Sequence, residues 1–261
     1  MAERADRHLL YQKSVQCPAH ELGFFLWVYR TIRGRSPMAL REDFCGTALF
    51  SAAWVRSHPR RTALGVDLDQ PTLDWGREHV LAHERPSVRR RVRLVRANVL
   101  DVTAPKADLT CAMNFSQCIF KTRAELERYL RVAHAGLRRD GIFVTELYGG
   151  TQAIRPYVER RKVGRFTYVW QQEKYNAITN EILCHIHFAF PDGSRLRRAF
   201  SYDWRLWGIP ELRDCLLAAG FARVDVYWEN EDERGRDLGT WRRATEERNE
   251  PTWLVYVVGV K

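Results

Sequence analysis

Two acids, Glu42 and Asp43, end the run MALRED and are followed at once by Phe44-Cys45-Gly46-Thr47-Ala48. The stretch then reads as a helix, TALFSAAWVRSH, stopped at Pro59. A strand that enters a tight loop and then a helix binds nucleotides through backbone amides at the helix N-terminus. The pyrophosphate version asks for G-x-G-x-x-G, and here two of the glycine positions carry side chains. Carboxylates at the loop mouth would also repel a dianionic pyrophosphate at close range. The ligand this chemistry suits is a nucleoside that is positively charged and carries no phosphate.

S-adenosylmethionine, with an ammonium and a sulfonium, is such a ligand. Asp67, ending ALGVD, can accept hydrogen bonds from both ribose hydroxyls. Asn98 in RANVLD can meet an adenine edge, with Asp101 a second candidate. Each signal has a plain alternative. Asp67 can be a helix cap, Glu42 a salt-bridged surface acid, and Asn98 a turn residue. Their order and spacing within one strand–helix series is what joins them.

That series is read from periodicity. AHELGFFLWVYRTIRG places Leu22, Phe25, Leu26, Tyr29 and Ile32 on one helical stripe, with Gly34 as terminator. Strands follow at MALREDF, 61–68, 91–99, 107–115 and IFVTELY. Between them lie helices, one with Asp69 as N-cap and Pro71 in its first turn, another opened by a Thr122/Glu125 capping box. Strands alternating with helices make a parallel sheet covered on both faces. After Gly149-Gly150 the rhythm changes. Residues 166–175, 180–190 and 195–206 read as strands without helices between them, the last two joined by the PDGS turn. They form an antiparallel meander set into the scaffold. PELRDCLLAAG returns to helix, and RVDVYWE and WLVYVVGV close the chain around a charged loop, 229–252.

These residues together resemble the class I S-adenosylmethionine-dependent methyltransferases. LREDFCGTA is similar to that family's first motif, GVDLD to its acidic second strand, ANVLD to its third and ADLTCAMNF to its fourth. The resemblance spans about residues 37–261. It implies an α/β fold: a Rossmann-like, seven-stranded, mostly parallel sheet with an antiparallel last strand, and the meander, at about 166–206, inserted after strand 5. It further implies an N-terminal helical cap or lid over residues 1–36 and S-adenosylmethionine as cofactor, with S-adenosylhomocysteine as product. Glu42, Phe44, Gly46, Thr47, Asp67, Leu68, Asn98, Val99 and Asn114 are expected to contact the cofactor. Phe44 and Ala48 depart from the usual glycines, which puts the path of the methionine moiety in question.

Methyl transfer from a sulfonium is an in-line displacement that needs alignment, a dry pocket and, for many acceptors, a base. Asn114 and Tyr148 stand beyond strand ends where open sheets bind ligands, and Glu146 lies beside them. Tyr11, ahead of the helix at 19–34, is a candidate lid residue or an ordinary packing aromatic. Tyr11, Asn114 and Tyr148 are thus the catalytic candidates, and Tyr148, Trp204 and Arg205 the substrate-side ones. NFSQ has a faint likeness to the N-P-P-Y motif of amino-group methyltransferases but lacks both prolines. The meander's Tyr168, Trp170, Tyr175, Tyr202, Trp204 and Trp207 suit an acceptor cover or a core. His185/His187 and His79/His83 have ligand spacing but no completing cysteines or carboxylates, so no metal is expected.

The function expected is methyl transfer to nitrogen or oxygen of a small molecule. RNA methylation and a non-catalytic cofactor-binding scaffold are the alternatives. The formal charge of +10, with arginines crowding 89–96 and 155–165, invites the RNA reading, yet acids are interspersed throughout and no separate RNA-binding module is visible. Six scattered cysteines without a C-x-x-C pair fit reduced thiols and a cytoplasmic location. No apolar run reaches membrane-span length. No membrane partner is expected, and a homodimer is left open.

Overall fold

The computed structural model describes residues 1–232 and 235–261. Two helices lead, α1 (Arg7–Val15) and α2 (Pro18–Arg33), and α2 ends on Gly34 in the left-handed region at φ 68°. The alternating part follows as β1 (Ala39–Asp43), α3 (Leu49–Arg56), β2 (Thr62–Asp67), α4 (Gln70–His79), the single turn α5 (Pro86–Arg89), β3 (Val92–Arg96), β4 (Ala107–Ala112), α6 (Arg123–Gly136) and β5 (Leu137–Gly149). The Thr122/Glu125 box forms, each side chain accepting from the other residue's amide at 3.2 and 3.0 Å. Such a cap contributes about 1 kcal/mol.

A four-stranded antiparallel sheet comes next: β6 (Tyr157–Val163), β7 (Phe166–Asn176), β8 (Glu181–Ala189) and β9 (Arg195–Arg205). The meander therefore starts one strand earlier than its hydrophobic alternation announces, because β6 is mostly polar and exposed. Helix α7 (Ile209–Ala218) and strands β10 (Arg223–Glu231), β11 (Asp237–Ala244) and β12 (Trp253–Val260) complete the chain.

The main sheet runs β11-β10-β12-β5-β4-β1-β2-β3. Strands β1 to β5 are parallel, and β12 is antiparallel to both its neighbours. It is the expected sheet with an eighth strand. That strand, β11, occupies much of 229–252, where charge alone reads as loop; the expectation there also covers Glu233 and Arg234, which lie outside the described residues. The strand order reverses between β1 and β4, and the crevice where open α/β sheets bind ligands is the one at the carboxyl ends of these strands.

Two cores sandwich the sheet. On one face α2 and α3 bury Phe24, Phe25, Val28, Phe50 and Trp54. There Phe24 stacks on Tyr256 at 3.8 Å. On the other face α6 and α7 bury Leu126, Tyr129, Leu130, Leu212 and Leu216, and the meander joins them through Ile182, Cys184 and Trp204. Helix α2 is thus a structural helix of the sheet. Helix α1 instead packs Leu10 with Tyr168, Ile186 and Phe188 of the meander. All six cysteines are free thiols. No helix among the described residues is long and apolar enough to cross a membrane.

Candidate active site

The loop after β1 has a backbone that its side chains disfavour. Phe44, Gly46 and Ala48 are all left-handed, at φ 58°, 53° and 58°. A non-glycine residue there costs about 1–2 kcal/mol. The alternation is thus the one a three-glycine loop adopts freely, here imposed on a phenylalanine and an alanine. Its neighbours hold it in place. The Cys45 amide donates to the Val66 carbonyl at 3.0 Å, and the Gly46 amide to the Asp67 carboxylate at 2.8 Å. A Cβ on Gly65 would lie 2.8 Å from the Cys45 sulfur, and one on Gly76 would lie 2.5 Å from the Thr47 carbonyl oxygen. Strand β2 and helix α4 therefore leave room for the loop. Neither glycine figures among the candidate residues, although a lone glycine inside a strand pattern signals close approach.

The two acids that open the loop diverge, because successive side chains of a strand point to opposite faces. Asp43 turns toward α6 into a buried fork with Arg41, at 2.7 and 3.1 Å, and accepts from the Tyr129 hydroxyl at 2.9 Å. Arg41 also donates to the Val99 and Val102 carbonyls. The charge of Asp43 is thus spent inside the protein and contributes nothing to the crevice mouth, contrary to the sequence-based expectation. Glu42 turns toward α3, where the Ser51 amide and hydroxyl donate to it. Burial pushes its carboxyl up to about 8, helped by the neighbouring acids Glu21 and Asp67. With no cation beside it, burial favours the protonated form of Glu42.

Asp67 ends β2 and is partly exposed. Its other oxygen accepts from the Asp69 amide at 3.0 Å, and a carboxylate's remaining lone pairs leave capacity for ribose hydroxyls. Leu68 beside it is 60% exposed, an apolar surface on the crevice lip. Asn98 uses its side-chain oxygen on the Leu100 amide at 3.0 Å, so only its NH2 and the backbone of the turn can meet a ligand. The Val99 side chain belongs to the core. Phe44 lays its ring against Tyr129, and Thr47 accepts from Gln12 of α1 at 2.7 Å.

Helix α1 touches the loop through Gln12 and helix α4 through Asp6. Asp6 caps α1 through the His8 and Leu9 amides and also accepts from the Trp75 indole at 2.7 Å. Tyr11 lies within α1, not ahead of the first helix; residues 7–15 have too little hydrophobic periodicity to announce one. The ring of Tyr11 lies 4.9 Å from that of Phe200, and its hydroxyl neighbours that of Tyr202. The same hydroxyl feels the charges of Glu146 and Glu21.

Beyond β4, Asn114 and Phe115 are left-handed at φ 52° and 58°. The Asn114 amide donates to the Glu146 carboxylate at 2.8 Å, and the Gln117 side chain to the Glu146 carbonyl at 2.6 Å. Burial pushes Glu146 up to about 8, and Glu21 of α2 to about 7. Acids and backbone amides are the further influences on these two, and no cation is among them. Glu21 and Gln117 carry no sequence signal that separates them from ordinary helix and turn residues.

Facing this end of the sheet, Tyr202 and Trp204 stack at 4.3 Å with Trp170 beside them, and Phe115 lies 4.7 Å from Tyr148. The Tyr148 hydroxyl is buried without a hydrogen-bond partner. Arg205, which by sequence could clamp an acceptor carboxylate or simply pair, pairs with Glu211 at 2.9 Å, donates to the Lys121 carbonyl and lies over Trp207 at 3.9 Å, tying β9 to α7. Among the described residues no group of three or more His, Cys, Asp or Glu could hold a metal.

No protein-family model matches the sequence, and no curated protein matches it. Solved structures do. An S-adenosylmethionine-dependent methyltransferase from Clostridium acetobutylicum superposes with a TM-score of 0.69 over 97% of this chain and 96% of its own, at 14% identity. An S-adenosylmethionine-bound amino pentose methyltransferase from Micromonospora echinaspora gives 0.68 over 97% and 95%, at 16% identity. A sugar N-methyltransferase from Streptoalloteichus gives 0.64 over 98% and 93%, at 18% identity. The chain has the fold of the class I S-adenosylmethionine-dependent methyltransferases. In that methyltransferase fold the donor set at the crevice suits a cationic nucleoside better than a phosphorylated one. Asp67 and the exposed face of Leu68 stand at its lip, Glu42 lies buried behind the loop, and the loop's own amides are turned inward to Val66 and Asp67.

Proposed function

We propose that the chain is an S-adenosylmethionine-dependent methyltransferase whose acceptor is an amine of a small molecule. The observation that carries this reading is the acidic end of the sheet. Asp67 lies at the crevice lip, and Glu21, Glu42 and Glu146 lie buried around it under α1 and α2. When bound, the cofactor supplies a methyl group on a sulfonium, an electrophile whose departing sulfur needs no proton.

The chain's own residues do the rest. Asp67 receives the ribose hydroxyls and, through Gly46, fixes the loop. Leu68 offers a face to the adenine, and the Asn98–Val99 turn its edge. In its carboxylate form Glu146, held by the Asn114 amide, accepts the proton that an ammonium acceptor must lose before its lone pair can attack. A carboxyl poised near neutrality suits that task. Tyr11, Tyr202 and Trp204 close the site against water. The resemblance in fold to a sugar N-methyltransferase and to an amino pentose methyltransferase supports nitrogen over oxygen.

The reading is tested by calorimetry with S-adenosylmethionine at pH 7 in buffers of different ionisation enthalpy. A cation arriving beside protonated Glu42 releases a proton, so binding tightens as pH rises toward about 8. Glu42→Gln removes that release. Amines should then yield S-adenosylhomocysteine. Absence of cofactor binding, or turnover with alcohols alone, overturns the proposal.

A further inference from the structure

The arginine-rich run at 155–165 takes no part in this chemistry, and the fold gives it a different surface. Strand β6 sends Arg161 inward, to the Ser14 carbonyl and over the Tyr168 ring. Val158, Arg160 and Lys162 alternate with it and face outward. The register continues their rows across the sheet. Arg160 pairs with Val169, which pairs with His187, and Lys162 pairs with Thr167, then Ala189, then Arg195. A trough of about 400 Å³ lies on this outer face, lined by Val158, Arg160, Val169, His187, Arg195 and Arg197 among others.

Its charge is one-sided. Arg160, Arg195 and Arg197 are exposed, and among the described residues none of them has an ion pair. Elsewhere arginines such as Arg35, Arg56, Arg123, Arg138 and Arg223 are matched with carboxylates. Glu173, on the same sheet, is engaged by His185 and Arg198. His187 accepts from the Arg198 amide at 3.0 Å and faces the Gln171 oxygen at 3.0 Å, the bonding of a neutral ring. The positive charge therefore sits on the two rims, β6 and β9, and the floor is Thr167, Val169 and Ala189 with Gln171 and His187, which bond each other. Three strand spacings separate the rims, about 14 Å.

We propose that this trough docks an acidic amphipathic helix of a partner protein. A helix is about 10–12 Å across, so it lies between the rims with its apolar stripe on the valine and alanine floor and its carboxylates toward the arginines on either side. The trough lining has a single ring, His187, bonded through both nitrogens, so a run of single-stranded nucleic acid would find one stacking surface at most. A two-fold contact with a second copy would set arginines against arginines. The inference does not depend on the methyl-transfer reading.

The probe is a synthetic Glu/Leu/Ala amphipathic helix of about 20 residues, compared with a scrambled peptide of the same composition and a single-stranded RNA of similar length. The amphipathic peptide should bind, lose affinity at least about tenfold between about 50 and 300 mM salt, and lose a similar factor in the R160E/R195E/R197E protein. Should charge reversal impair folding, R160A/R195A/R197A carries the same test. Equal binding by the scrambled peptide, tighter binding of RNA, or no binding to the wild type overturns the proposal. So does a wild-type dimer in sedimentation that these substitutions dissociate.

Discussion

The crevice at the ends of β1 and β2 and the meander that closes over it are built on opposite terms. In the crevice nearly every polar side chain is committed to a backbone group: Asp67 to Gly46 and Asp69, Glu42 to Ser51, Asn98 to Leu100. Position is set by the main chain, so Phe44 and Ala48 replace glycines without changing the loop's path. The meander's inner face is set by rings, Trp170, Tyr202 and Trp204, and leaves the nearby Tyr148 hydroxyl without a partner. A region that fixes the same ligand in every cycle benefits from commitment. On the proposed function the meander meets the variable acceptor and keeps spare hydrogen-bonding capacity for it.

The largest test of that contrast is Arg41→Met. It leaves Asp43 buried and uncompensated, which costs about 3–5 kcal/mol, a large part of a typical domain's stability. Urea unfolding of the ligand-free protein measures it. The folded fraction should still bind S-adenosylmethionine, because Asp43 faces away from the crevice. A loss below about 1 kcal/mol would show that the pair is not the anchor of β1.

Asp67→Ala follows. It removes the tether on Gly46 together with the ribose acceptor, two bonds to a charged group, so cofactor affinity should fall about 100-fold by calorimetry. An affinity within about threefold of wild type would detach Asp67 from the cofactor.

The difference between the regions also decides what the sequence discloses. The alternating scaffold is legible because parallel strands and amphipathic helices carry distinct periods, and Thr122/Glu125 and Gly34 mark their ends. Asp67 is legible because its place at a strand end is itself a pattern. Strands β6 and β11 are not, since exposed edge strands need no apolar alternation. The opposite fates of Glu42 and Asp43 follow from strand alternation, but the partner that disarms Asp43 is two residues back on the same strand face, and only the packing of α6 buries it. Glu21, Gln117 and the Arg205–Glu211 pair depend on which elements meet in space, which a single sequence leaves open.

Tyr148→Phe separates the two regions directly. The hydroxyl is buried and unpaired, so removing it should leave stability unchanged or raise it by up to about 1 kcal/mol. Cofactor affinity should not change. Turnover with an amine acceptor should fall by about tenfold, the worth of one hydrogen bond made in the working complex. Unaltered turnover would place the acceptor away from this hydroxyl.

The smallest expected effect is the most specific to the loop. Ala48 stands at the N-cap of α3 at φ 58°, in a conformation that costs an L-residue about 1–2 kcal/mol and a glycine almost nothing. Glycine also frees the unfolded chain, which offsets about 0.4–1 kcal/mol of that relief. Ala48→Gly should therefore stabilise the protein by up to about 1 kcal/mol in thermal unfolding and leave cofactor affinity within twofold, on the order of RT. Phe44→Gly relieves the same strain but gives up the ring contacts with Tyr129 and Phe120, so it should destabilise. Opposite signs at two positions of matching φ would show that the loop's path is imposed by β2 and α4, with side chains adding only their packing. Equal signs would mean that the phenylalanine and alanine themselves shape the loop.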